Sequence, residues 1–178
     1  MKTYIAAAAI LSFWATNMTY AAENMSARQI LDKEISEVGV STFTGADYKP
    51  GLIRHIVLFR YKDGTTAEQR QEIRDQFMAL AKKATRNGKP YIVSIESGAQ
   101  NSGEGVSGGF EEGFIVTFSS EGDRNYYVGT PVVTEPKFFD PQHQKFKEFV
   151  GPYLADSGVL VFDMRITDST RLGATSRN

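Results

Sequence analysis

There is no cysteine anywhere in the 178 residues. Thiol catalysis, thiolate-bound zinc and iron–sulfur clusters are thereby excluded, and stability has to come from the core rather than from covalent cross-links. Histidine is nearly as scarce: His55 and His143 are the two in the chain, so any imidazole chemistry rests on them. An excess of one charge is also missing, with 20 Lys and Arg against 21 Asp and Glu. Interspersed and balanced, these charges form no basic stripe to neutralise phosphates, which argues against nucleic acid as a partner. The apolar run near the start is shorter than the roughly 20 residues a membrane span needs.

That run belongs to a targeting segment. Residues 1–21 have a cationic start at Lys2, an apolar stretch over 5–15 and small residues at Thr19 and Ala21. This is the pattern of a cleavable secretory signal, cut after Ala21 or, as the near alternative, after Ala22. It predicts a secreted or periplasmic protein with no membrane association once the signal is removed; an uncleaved anchor is the competing reading.

Residues 22–51 read as a lead-in helix and a linker. SARQILDKEISEV has apolar residues at Ile30, Leu31, Ile35 and Val38 after a Ser26 cap, and residues 41–51 are rich in turn formers. The domain proper is expected over 52–166, followed by a polar tail at 167–178. LIRHIVLFRY (52–61) alternates, with Ile53, His55, Val57, Phe59 and Tyr61 on one face and Arg54, Ile56, Leu58 and Arg60 on the other. Thr66 caps a helix carrying Ile73, Phe77, Leu80, Ala81 and Ala84 on one face, which ends near Asn87 and Gly88. A strand YIVSIESG (91–98) follows. GEGVSGG (103–109) formally matches G-x-G-x-x-G, but a strand follows it rather than a helix, so it reads as a flexible connection and not a nucleotide site.

FIVTFSS (114–120) is the next strand, and residues 121–129 form a short helix bearing Tyr126 and Tyr127. After an apolar, proline-interrupted loop, Asp140-Pro141 opens a helix expected to reach about Leu154, and VLVFDMRI (159–166) is the last strand. The order is the α+β, ferredoxin-like β-α-β-β-α-β pattern, an antiparallel sheet with helices on one face. Its other face would leave Ile56 and Leu58 apolar and wet, so a homodimer formed sheet to sheet is expected.

RHIVLFRYKDG, FIVTFSS, DPQHQKF and VLVFDMRI, in that order, resemble the stress-responsive A/B barrel (Dabb) family, whose members are dimeric α/β barrels. The resemblance covers about 52–166. Plant polyketide cyclases of that family close a polyketide chain without a cofactor. By likeness to them, His143 falls on the acid/base histidine, Tyr127 on its partner tyrosine and His55 on a histidine of the first strand. About ten extra residues separate Tyr127 from His143 here, a departure from the family pattern.

The residues themselves point the same way. Positions 143, 146, 150 and 153 share a helix stripe, so His143 faces the sheet with Phe146 and Val150, while His55 lies on the strand face of Val57 and Phe59. Both histidines are expected in one pocket with Tyr127 at its mouth, lined by Val57, Ile73, Phe77, Phe114, Val159 and Val161. The expected guest is a small, mainly apolar molecule. The alternative is a cofactor-independent, polyketide-cyclase-like lyase with His143 as general base. A third reading is that His143 only packs. No cofactor is implied, and a metal site is disfavoured because two histidines lack a clear third ligand, Glu112 being the conceivable one.

Overall fold

The alternation in LIRHIVLFRY becomes strand β1 (Pro50–Tyr61), which buries Ile53, His55, Val57, Phe59 and Tyr61 and leaves Arg54, Ile56, Leu58 and Arg60 half-buried on the opposite face. The structure, a computed structural model, describes residues 25–170, so the signal expected over 1–21 lies outside the described residues. The chain forms two compact units, one ending at Gly39 and one beginning at Val40. In the first, helix α1 (Ala27–Val38) starts at the predicted cap: Ser26 accepts from the Gln29 N–H and the Gln29 side chain accepts from the Ser26 N–H.

The second unit contains α2 (Val40–Phe43), β1, α3 (Ala67–Lys83), β2 (Thr85–Arg86), β3 (Lys89–Pro90), β4 (Ser94–Ala99), β5 (Glu112–Ser120), α4 (Glu121–Val128), α5 (Pro141–Val150) and β6 (Leu154–Arg165). The main sheet has the order β4-β5-β1-β6 with every pairing antiparallel. This is the ferredoxin-like arrangement. Its core lies between the inward face of the sheet and helices α3 and α5, where Phe77 stacks on Phe114 at 4.0 Å and meets Phe146 edge-on at 5.0 Å.

Three local expectations are corrected. Residues 41–51 are not a linker: Phe43 is completely buried, Asn125 donates to its carbonyl at 2.8 Å, and Arg86 donates to the Thr44 carbonyl at 2.6 Å. The folded unit therefore starts at Val40, twelve residues before Leu52. Asn87 and Gly88 do not end α3, which stops at Lys83; both adopt positive φ, 52° and 77°, as the turn of the small β2–β3 hairpin. The helix from Pro141 ends at Val150 and passes through a 3-10 turn, Gly151–Tyr153, into β6, which begins five residues earlier than expected. Glu112 is committed elsewhere, since Tyr61 donates to it at 2.6 Å and Arg74 pairs with it. Among the described residues no group of three His, Asp or Glu side chains is arranged to hold a metal ion.

Candidate functional site

The Asp-Pro pair does what its chemistry dictates. Asp140 accepts from the backbone N–H of Gln142 at 2.7 Å and of His143 at 3.2 Å, and Pro141 takes the first helical position, where no donor is needed. Tyr91 also donates to Asp140 at 2.7 Å, so this buried carboxylate fixes the start of α5 from two sides. The stripe His143, Phe146 and Val150 is then turned inward and buried.

His143 Nδ1 lies 2.6 Å from the backbone carbonyl oxygen of Tyr127. A carbonyl can only accept, so Nδ1 carries the proton and Nε2 keeps its lone pair. Burial, the largest influence, pushes the His143 pKa down to about 3; the bond to Tyr127 opposes this, and the charges of Lys147 and His55 add to it. The ring is therefore a neutral acceptor throughout the physiological range.

His55 faces the same space from β1. Directly opposite it in the sheet is Asp163 of β6, and His55 Nδ1 donates to Asp163 Oδ1 at 2.6 Å. Arg124 of α4 pairs with the other carboxylate oxygen. Burial alone would raise the Asp163 pKa, but the hydrogen bond and charge of His55 together with Arg124 hold it below the usual carboxylate value. Arg124, Asp163 and His55 thus form a chain ending at the cavity wall. Asp163 was detectable in the sequence, because it continues the alternation of Val159 and Val161; Arg124 had no local signal.

Between α5 and the sheet is a cavity of about 490 Å³ lined by His55, Val57, Phe77, His143, Val159 and Val161, among others. Val159 and Val161 are about half exposed, so the cavity opens along edge strand β6. Ile73 and Phe114, also expected on its wall, are in the core at 0 % exposure and do not reach it. A groove of about 700 Å³ along the outer side of α3 is shallow, and most of its lining is Glu, Gln and Asp side chains.

Tyr127 is not at the mouth. It is 1 % exposed, stacked on the hidden side of His143 at 3.7 Å and edge-on to His55 at 5.6 Å, and its hydroxyl has no hydrogen-bond partner. Its phenol is pushed upward by burial and then by Asp140, which keeps it protonated. The start of the extra segment reaches the cavity instead, with Thr130 and Pro131 in its lining. Lys147, one turn beyond His143, ties that segment down by donating to the carbonyls of Val128 and Thr130 and to the Thr130 hydroxyl, at 3.1, 2.9 and 3.1 Å.

A four-stranded antiparallel sheet, helices on one face and a two-histidine cavity beneath the last helix define a ferredoxin-like barrel protein. The stress responsive A/B barrel domain matches residues 53–166, and the chain belongs to that family. It is similar in structure to the hydroxynitrile lyase of Passiflora edulis, with 21 % identity, a TM-score of 0.52, and coverage of 68 % of this chain and 99 % of that one. A protein of Arabidopsis thaliana is similar at 22 % identity and a TM-score of 0.52, over 67 % of this chain and 99 % of that one. A dimeric ferredoxin-like protein of unknown function from Jannaschia sp. shares 19 % identity at a TM-score of 0.49, over 65 % of this chain and 100 % of that one. At these identities the likeness is one of fold. No curated protein matches the chain.

Proposed function

We propose that this chain is an exported, homodimeric barrel protein that binds a small, mainly apolar molecule between α5 and the sheet. The observation that carries the reading is the cavity itself, about 490 Å³, walled by residues such as Val57, Phe77, Phe146 and Val161, with a neutral imidazole among them. Ligand sites of this kind span about 300–1,000 Å³ and hold a few polar groups in an apolar wall. The test is mass spectrometry of protein taken from the extracytoplasmic fraction, which is expected to release a co-purified apolar molecule. The intact mass of the same sample is expected to begin at Ala22 or Glu23. Protein without a bound molecule, which also fails to take up any of a panel of apolar probes, would remove the binding reading; a chain starting at Met1 would remove export.

The dimer rests on the outer face of the sheet. There Ile56 lies between Ile115 and Phe162, and Leu58 between Gly113 and Leu160; Leu160, Phe162 and Met164 are 40–56 % exposed. Burying such a face contributes about 25 cal/mol per Å² of apolar area, offsetting the cost of association once the patch is extensive. Ile56→Asp is expected to convert a dimer to monomer in sedimentation velocity. A wild-type protein that remains monomeric at high concentration contradicts the assignment.

A cofactor-independent lyase with His143 as general base is the second reading, supported by the unprotonated Nε2 on the cavity wall. Base strength weighs against it: a conjugate acid near 3 is far from the operating pH at which general bases work best. In a lyase the Asp163-oriented His55 is the better-placed proton acceptor. His55→Gln should then reduce turnover more than His143→Gln.

A further inference from the structure

We infer that the molecule this cavity takes presents a hydroxyl group to His143 Nε2, and that the favoured class is a small phenol rather than a carboxylic acid, ketone or ether. This rests on the binding reading above and comes from an accounting of hydrogen bonds around the wall. The side-chain donors that line the cavity are His55, His143, Lys147 and Thr130. His143 Nδ1 is committed to the Tyr127 carbonyl, and His55 Nδ1 to Asp163. Lys147 directs its ammonium hydrogens at two carbonyls and the Thr130 hydroxyl, and that hydroxyl donates to Gln144 at 2.9 Å.

What remains at His143 Nε2 is a lone pair, and His55, whose proton is likewise on Nδ1, offers a second acceptor rather than a donor. A guest with an acceptor oxygen there would meet acceptor against acceptor, and a desolvated polar group left unpaired is costly. A guest with an O–H completes the site. Lys147, one turn along α5, adds positive potential beside any oxygen that gains negative charge as it donates, which favours the more acidic phenolic O–H over an alkyl alcohol. An aromatic ring suits the rest of the wall, where Phe77 and Phe146 meet edge-on.

The test uses 4-propylphenol, 4-propylanisole and 4-propylbenzoate with the wild-type chain at pH 8, by calorimetric titration. The phenol is expected to bind about tenfold tighter than its methyl ether, the effect of one well-made hydrogen bond, with the benzoate weakest. The ¹⁵N resonance of His143 Nε2 should move on adding the phenol and hardly move with the anisole. His143→Leu should abolish the phenol's advantage while keeping affinity for the anisole. Equal affinity for phenol and anisole, tighter binding of the benzoate, or an Nε2 resonance indifferent to the phenol overturns the inference and leaves apolar binding intact. If neither the three probes nor propylbenzene binds, the inference and the binding reading fall together.

Discussion

Between pH 7 and pH 4 the protein is expected to lose roughly 3 kcal/mol of stability through His143 alone. The unfolded chain takes up a proton on this imidazole near pH 6.5, whereas the folded chain, with the pKa pushed down to about 3, does not. In that window the unfolded state binds more protons, so stability rises with pH; the contribution is complete above about 6.5 and is lost progressively as pH falls toward 3. Asp163 adds to the loss at the lower end, because its folded pKa is also depressed. Denaturant melts at half-unit pH intervals, for wild type and His143→Gln, isolate the histidine. The variant should be less stable at pH 7, having lost the ring stacked on Tyr127, yet show a much flatter decline toward pH 4. Parallel declines would mean that the imidazole is hydrated and not held neutral.

A single methyl group at Gly122 is expected to cost about 3 kcal/mol or more, at or beyond the upper end of ordinary overpacking. A Cβ there would stand 1.7 Å from the Gly45 carbonyl oxygen and 2.8 Å from its carbon. The obstruction is backbone, so no rotamer change relieves it. The two segments are also bonded across this contact, Gly122 N–H to the Tyr48 carbonyl at 3.1 Å and Glu121 N–H to the Lys49 carbonyl at 3.2 Å. Gly122→Ala must push residues 44–49 off α4, lowering the melting temperature by roughly 6–12 °C for a chain of this size. Gly103→Ala is the control: nothing lies within 4 Å of its added carbon, and its effect should be within about 0.5 kcal/mol. Equal behaviour of the two variants would mean that the segment is not packed as described.

The main elements were legible because their signals are local. The two-residue period of 52–61 fixed the inward face of β1, and the Asp140-Pro141 start set the phase of α5, so His55 and His143 could be placed on facing surfaces. What escaped depends on contacts remote in sequence. Turn-forming residues around Phe43 conceal a buried aromatic whose backbone carbonyl is met by Asn125 of α4, 82 residues later. The family likeness singles out Tyr127 but not its depth, which is set by the His143 ring stacked over it and by Phe118 behind it. Ile73 and Phe114 were correctly read as inward-facing, but pattern cannot separate a core position from a cavity wall on the same face. The Asp163 partnership needs the register of β1 against β6, which no single stretch contains.

The docking of residues 40–49 on α4 also sets an order of events for the growing chain. This segment is made early, yet its bonding partners on α4, Glu121, Gly122 and Asn125, are made some seventy to eighty residues later. Until β5 and α4 have been synthesised, Phe43 has nowhere to go, and closing so long a loop is slow relative to local structure. The first-made part of this unit is therefore among the last to settle.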